Sequence, residues 1–193
     1  MTTPDMQSST YSPDVVQSET LLHIGQIRRL LPRIDYQDTF SAPLPEGFDM
    51  PLHALAHAMF AHPPKLLFRL MQLRDMLVAP LGLKTAKGTG VPKPGAEVSE
   101  PAIGDRIGIF KLVHMEDDLL LFKESDSHLD FVIALERKKG ETGTSVPAGT
   151  DAISLSTCVR FNNATGRAYF FVVRPFHKWI VPMCMRDGLQ RLK

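Results

Sequence analysis

The stretch AISLSTCVRFNNATGRAYFFVVRPFHKWIVPMCMRDGLQRLK, Ala152 to Lys193, changes its apolar period once, and that change decides the fold. In its first part Ile153, Leu155, Thr157, Val159 and Phe161 fall on one side of an extended chain, with Ser154, Ser156, Cys158 and Arg160 on the other, as a strand requires. From Gly166 the period lengthens. Tyr169, Val172, Val173, Phe176, Ile180, Met183 and Cys184 make a stripe opposite Arg167, Arg174 and Lys178, which predicts a helix running to Leu192. At 1.5 Å per residue such a helix extends about 40 Å, the width of a small domain. Pro175 and Pro182 each remove an amide donor inside it, which predicts kinks or a break.

Upstream, DRIGIFKLVHM, DDLLLFKE and HLDFVIALERKK are short apolar runs separated by the turn-prone MEDD, ESDS and KKGETGTSVPAGTD. With the strand at Ala152 they predict four consecutive antiparallel strands. In HLDFVIAL, Leu129, Phe131, Ile133 and Leu135 take one face; His128, Asp130, Val132, Ala134 and Glu136 take the other, expected to meet water. Earlier still, DYQDTFSAPL reads as a first, edge strand because Tyr36, Thr39 and Phe40 favour extended chain and Pro43 and Pro45 close it. Two short helices are expected after it. The first has Asp49 and Pro51 at its start and the stripe Leu52, Leu55, Ala56, Met59 and Phe60; the second runs from Pro64 to Val78 on Leu66, Leu67, Leu70, Leu73 and Leu77. Thr20 to Leu31 fits either a helical turn or an extended approach. Strand, helices, an antiparallel run and a closing helix make the class α+β.

The ends and one loop stand apart. Residues 1–19 are polar, rich in Ser and Thr, and are expected as a disordered tail; residues 20–193 are expected as a single domain. Between residues 84 and 104 glycines and prolines dominate, and a loop of that length is expected to be mobile or to act as a lid. Lys plus Arg is 22 and Asp plus Glu is 21, a formal net charge of +1, so no bulk charge points to nucleic acid. The first twenty residues lack the basic start and apolar run of a secretory signal, and no apolar run reaches membrane-span length, so no stable membrane insertion is expected. Two cysteines, Cys158 and Cys184, are too few for a disulfide framework and read as buried thiols. A cytoplasmic protein is the resulting expectation.

Few residues point to chemistry. His53 and His57 are four apart on one predicted helix, the spacing of two metal ligands, but HALAH lacks the glutamate of a metalloprotease helix; no metal and no cofactor is expected. His128 and Asp130 share a strand side, the spacing of a carboxylate-oriented imidazole, yet on the face expected to be wet. Ser125 and Ser127 sit in a turn without a nucleophile elbow, and thiolate activation at Cys158 beside Arg160 needs exposure. His177, at the border of the long stripe, is a candidate acid or base near neutral pH. The hydroxyl of Tyr169 and the lone hydroxyl of Thr157 on an apolar face are candidate ligand contacts, each also readable as a satisfied core group. Arg160, Arg167 and Arg174 suit an anionic group at a cavity mouth or a solvated face. Exposed Phe and Trp beyond the stripe would suit a homodimer contact.

Four motifs, DYQDTF (Asp35 to Phe40), GDRIGIF (Gly104 to Phe110), HLDF (His128 to Phe131) and GRAYFFVVRPFHKWIV (Gly166 to Val181), together resemble the family catalogued as domain of unknown function 2867, over roughly residues 20–192. That family is similar in element order to the helix-grip superfamily of birch pollen allergen, START domains and polyketide cyclases, in which a curved antiparallel sheet wraps a long C-terminal helix around a cavity. The resemblance implies binding of a hydrophobic small molecule or lipid, with Phe131, Thr157, Tyr169, Val173, Arg174, Phe176 and His177 around it. Alternatives are a cyclase- or hydrolase-like enzyme using the same cavity, or a ligand-free interaction module with a filled core. Many relatives place a histidine before the turn asparagine, where this chain has Asn162, so any chemistry resting on that imidazole is in doubt here.

Overall fold

A computed structural model describes residues 14–18, 23–61, 100–138 and 150–192. Seven strands, β1 (Val16–Ser18), β2 (Tyr36–Pro43), β3 (Arg106–Ile107), β4 (Phe110–Glu116), β5 (Leu119–Ser125), β6 (Leu129–Lys138) and β7 (Ala152–Phe161), form one curved sheet in the order β1-β2-β7-β6-β5-β4-β3. Every neighbouring pair is antiparallel. Among the described residues three helices accompany it: α1 (Ile24–Leu30), α2 (Leu52–Phe60) and α3 (Ala164–Gln190). The class is α+β, with the antiparallel run and the long closing helix in place, but DRIGIFKLVHM, expected as one strand, splits into β3 and β4 around Gly108, which turns with φ 61°. The second short helix expected at 64–78 and most of the 84–104 loop lie outside the described residues.

The helix-facing side of the sheet carries the main core. Phe40, Ala42, Leu112, Leu120, Phe122, Ile133, Leu135, Ile153 and Leu155 are buried there against Leu52, Leu55, Ala56 and Met59 of α2 and Met185 and Leu189 of α3. Burying side chains of this size stabilises by about 1.5–3 kcal/mol each, which makes this layer the main source of stability. The opposite face is dry too, which corrects the expectation of a wet side. Ile27 and Leu31, in and just after α1, seal Leu119, Leu121, Val132, Ala134 and Cys158. Its small polar residues are hydrogen-bonded across strands, Thr39 to Ser156 at 2.9 Å and Ser41 to Ser154 at 2.8 Å, so β7 is buried on both sides from Ala152 to Val159.

β2 is not the edge strand the sequence suggested. Val16–Ser18, inside the stretch read as a tail, pair with Thr39–Ser41 and form the edge, while Val15 joins the core. A three-residue strand in polar sequence leaves no readable alternation.

α3 is a single 27-residue helix despite both prolines. Asn163 caps it: its side-chain oxygen accepts from the Gly166 amide at 3.0 Å, and its side-chain amide donates to the Ser127 carbonyl at 3.1 Å, tying the helix start to the β5–β6 turn. The predicted stripe is displaced. Gly166, Phe170, Cys184, Met185, Gly188 and Leu189 are buried, whereas Val172 and Phe176 are exposed. Two glycines set the distance of the helix from its supports: a Cβ on Gly166 would overlap the His128 backbone carbonyl, and one on Gly188 would overlap Met59 of α2. Among the described residues no helix is long and apolar enough to cross a membrane.

Gly166→Ala is expected to destabilise by about 1–3 kcal/mol, because the atom it meets is backbone and cannot rotate away. Gly25→Ala in α1, where nothing lies within 4 Å, should stay within about 1 kcal/mol of the parent on the stabilising side. Urea denaturation of both variants checks the contrast; equal effects would refute the close approach at Gly166.

Candidate functional site

Alternation along β2 places Tyr36, Asp38, Phe40 and Ala42 under α3, and the register sets Tyr36 opposite Val159 and Asp38 opposite Thr157 of β7. Thr157 in turn faces Ile133 of β6, and Phe131 lies opposite Val159. A carboxylate and a hydroxyl therefore sit side by side in an otherwise apolar face. The Asp38 side chain is 1% exposed. Its Oδ2 accepts the Tyr36 hydroxyl at 2.6 Å, and its Oδ1 lies 3.2 Å from Nε2 of His177, which hangs from the middle of α3. A carboxylate oxygen accepts, so the pairing has Nε2 donating to Asp38 and directs Nδ1 away from it.

Tyr36 is fixed from several sides. Its ring tilts against Phe170 at 4.6 Å, meets the edge of His177 at 6.5 Å, and has the Arg174 guanidinium 5.2 Å from its centroid. Burial, followed by the bond to Asp38, pushes the phenol above its ordinary range, so it remains a donor. Beside this satisfied trio Thr157 is 5% exposed, and its Oγ1 has no hydrogen-bond partner. Leaving a buried hydroxyl unmatched costs about 1–3 kcal/mol.

Of the residues singled out in the sequence, Thr157 and His177 meet at Asp38, and Arg174 lies over the ring of Tyr36. Val173 is half-buried and Phe176 is exposed on α3; Phe131 is half-buried and packs edge-on to Phe110 at 6.2 Å. Tyr169 points elsewhere, edge-on to His128 at 5.0 Å. His128 and Asp130 do not form a dyad: His128 lies 3.5 Å from Asp126, and Asp130 is bound by Arg160. His53 and His57 lie on α2, and among the described residues no group of three His, Cys, Asp or Glu side chains is placed to hold a metal. Burial pushes the Cys158 thiol up to about 12 and the Cys184 thiol up to about 11, so neither is a thiolate at neutral pH.

Asp38 and Tyr36 are the side chains of this cluster that the sequence reading missed. Their signal was in DYQDTF: alternation puts an acid between two aromatics on one strand side, a position where only a partnered carboxylate survives. A second buried acid, Glu136, lies on the opposite face, 1% exposed, with neither carboxylate oxygen hydrogen-bonded. Burial raises its pKa, while His23 and Lys138 act against the rise. A cleft of about 420 Å³ opens at the corner between α1 and β2, lined in part by Ile24, Arg28, Arg33, Asp35 and Tyr36; Tyr36 belongs to both the cleft and the Asp38 cluster.

Fold and site thus define an α+β domain with one antiparallel sheet, a long C-terminal helix across it, and a buried Tyr–Asp–His cluster where the two meet. The family described as "Protein of unknown function (DUF2867)" matches residues 30–184, most of the chain, and the chain belongs to that family. No curated protein and no solved structure matches it.

Glu136 provides a pH test of the dry outer face. Because its folded pKa is raised, its contribution to stability is fully present below the unfolded value and is lost as pH rises through the folded one. Glu136→Gln is therefore expected to be more stable than the parent at neutral pH, with the gain shrinking as pH falls into the ordinary carboxylate range. Denaturation curves at neutral and acid pH check this; a gain that persists unchanged in acid would contradict it.

Proposed function

We propose that this domain binds a predominantly apolar small molecule, a lipid included, between the helix-facing side of the sheet and the middle of α3. The observation that carries the reading is the Thr157 hydroxyl, buried without a partner beside the Asp38–His177 pair. A polar group in an apolar wall is a standing cost unless something meets it, and a ligand whose one polar end reaches Thr157 and His177 meets it. Phe131 and Val173 supply apolar contact around that point, Arg174 marks its outer rim, and Phe176, which the helix turns outward, lies outside it. The likeness in element order to helix-grip domains supports the same location.

A second reading, general acid–base chemistry on the bound molecule, is favoured by one feature: a buried carboxylate orients the imidazole. With Asp38 holding Nε2–H, Nδ1 of His177 accepts a proton from the substrate, and Asp38 stabilises the imidazolium that results. This suits cyclisation or dehydration, which need no protein nucleophile.

Native mass spectrometry of freshly purified chain, followed by solvent extraction, tests the first reading: a defined added mass is expected. Thr157→Val, which keeps the shape and deletes the hydroxyl, should lower its occupancy while raising the stability of the empty protein by about 1 kcal/mol. An empty parent protein, or a variant that retains the mass undiminished, would count against the site. For the second reading, the extracted compound should be converted by the parent and left intact by His177→Ala.

A further inference from the structure

Among the described residues nothing packs on the side of α3 turned away from the sheet, and its composition is not that of an ordinary solvated face. Phe171 is 81% exposed and Trp179 is 78% exposed, the two largest exposures among the large apolar side chains of the described residues. Eight residues apart, they fall on the same outward side, about 12 Å from one another along the axis. Arg167, Arg174 and Arg186 are exposed on the same helix, and Lys178 is half-exposed beside Trp179. From its start to Arg186 the helix carries these four cations and no acid; Asp187 is the first. In a chain whose formal net charge is only +1, this is a local concentration of positive charge around two exposed aromatics.

We propose that this face of α3 docks on the surface of an anionic lipid bilayer. The aromatic side chains enter the headgroup region, where Trp is favoured, and Arg167, Arg186 and Lys178 meet lipid phosphates, while Arg174 stays over the Tyr36 ring. Charge selects this occupant over a second copy of the chain, since an antiparallel self-pairing would bring the same cations against one another. The helix does not leave the fold to bind. Its inner side is held by the close contacts at Gly166 and Gly188 and by the His177–Asp38 hydrogen bond, so only side chains of the outer face penetrate. The inference stands on the exposed face alone and does not require a ligand at Asp38.

Trp179 is the chain's single tryptophan, so its emission reports on this face alone. The full chain is mixed with vesicles of equal parts phosphatidylglycerol and phosphatidylcholine, or of phosphatidylcholine only, and fluorescence and co-sedimentation are read. A blue shift and sedimentation are expected with the anionic vesicles only, weakening as salt is added. Arg167→Glu combined with Lys178→Glu should reduce binding by at least about tenfold. Phe171→Ala should weaken it with an unchanged circular dichroism spectrum. Absence of binding to anionic vesicles, or equal binding to neutral ones, would overturn the proposal. So would a blue shift that grows with protein concentration in the absence of vesicles, which would assign the face to self-association.

Discussion

The contact of α3 with its supports at two glycines governs the rest of the structure. Gly166 lets the first turn sit directly on the backbone carbonyl of His128, and Gly188 lets the last turns sit on Met59 of α2. Between these points no residue of α3 is fully buried from Phe171 to Met183. The helix is therefore pinned at its ends, and its middle is held by the polar contact from His177 to Asp38 and by half-buried packing such as that of Val181 on the core. Both the buried cluster beneath and the exposed aromatics above follow from that geometry, because a helix fixed at two points has its inner and outer sides fixed as well.

Asp38 belongs to that arrangement as a matter of electrostatics. An ionised carboxylate in a dry layer is tolerated only with hydrogen bonds to its oxygens, and Tyr36 and His177 supply one to each. Glu136 on the other face has no such donors, and its carboxyl is instead pushed toward the neutral form. Both acids are buried, but they differ in what surrounds them. One is built into a directed network that aims an imidazole; the other is a local cost beneath α1.

Much of the fold was legible because its longest elements are strongly periodic. The run from Phe110 to Phe161 and the closing helix needed only period and turn residues. What failed were inferences requiring a second layer. HLDFVIAL alternates well enough to suggest a wet side, but Val132 and Ala134 on that side already hinted at a cover, and the cover, α1, is one of the least regular segments in sequence. The edge position of β1 was invisible because three residues carry no period. At the site, Thr157 and His177 were found as polar interruptions of apolar stripes, whereas Asp38 was read only as part of a strand-forming run. An acid partnered by a residue 139 positions away cannot be told from an exposed one without the pairing.

The prolines of α3 show why a segment expected to break does not. A proline at 175 leaves the carbonyl of Phe171 without its helical amide, and one at 182 does the same to Lys178. Both carbonyls belong to residues on the outer side, Phe171 exposed and Lys178 partly so, where solvent can stand in for the missing donor. The same substitution on the inner side would leave an unmatched carbonyl against an apolar sheet. Opening the outer ladder also favours a helix that is convex toward solvent, the sense needed to follow a curved sheet. The change in buried residues along α3, from Gly166 and Phe170 to Cys184, Met185, Gly188 and Leu189, is the packing counterpart of that path. A regular stripe would have kept one direction throughout, and so the sequence pattern placed Phe176 in the core when the folded helix turns it outward.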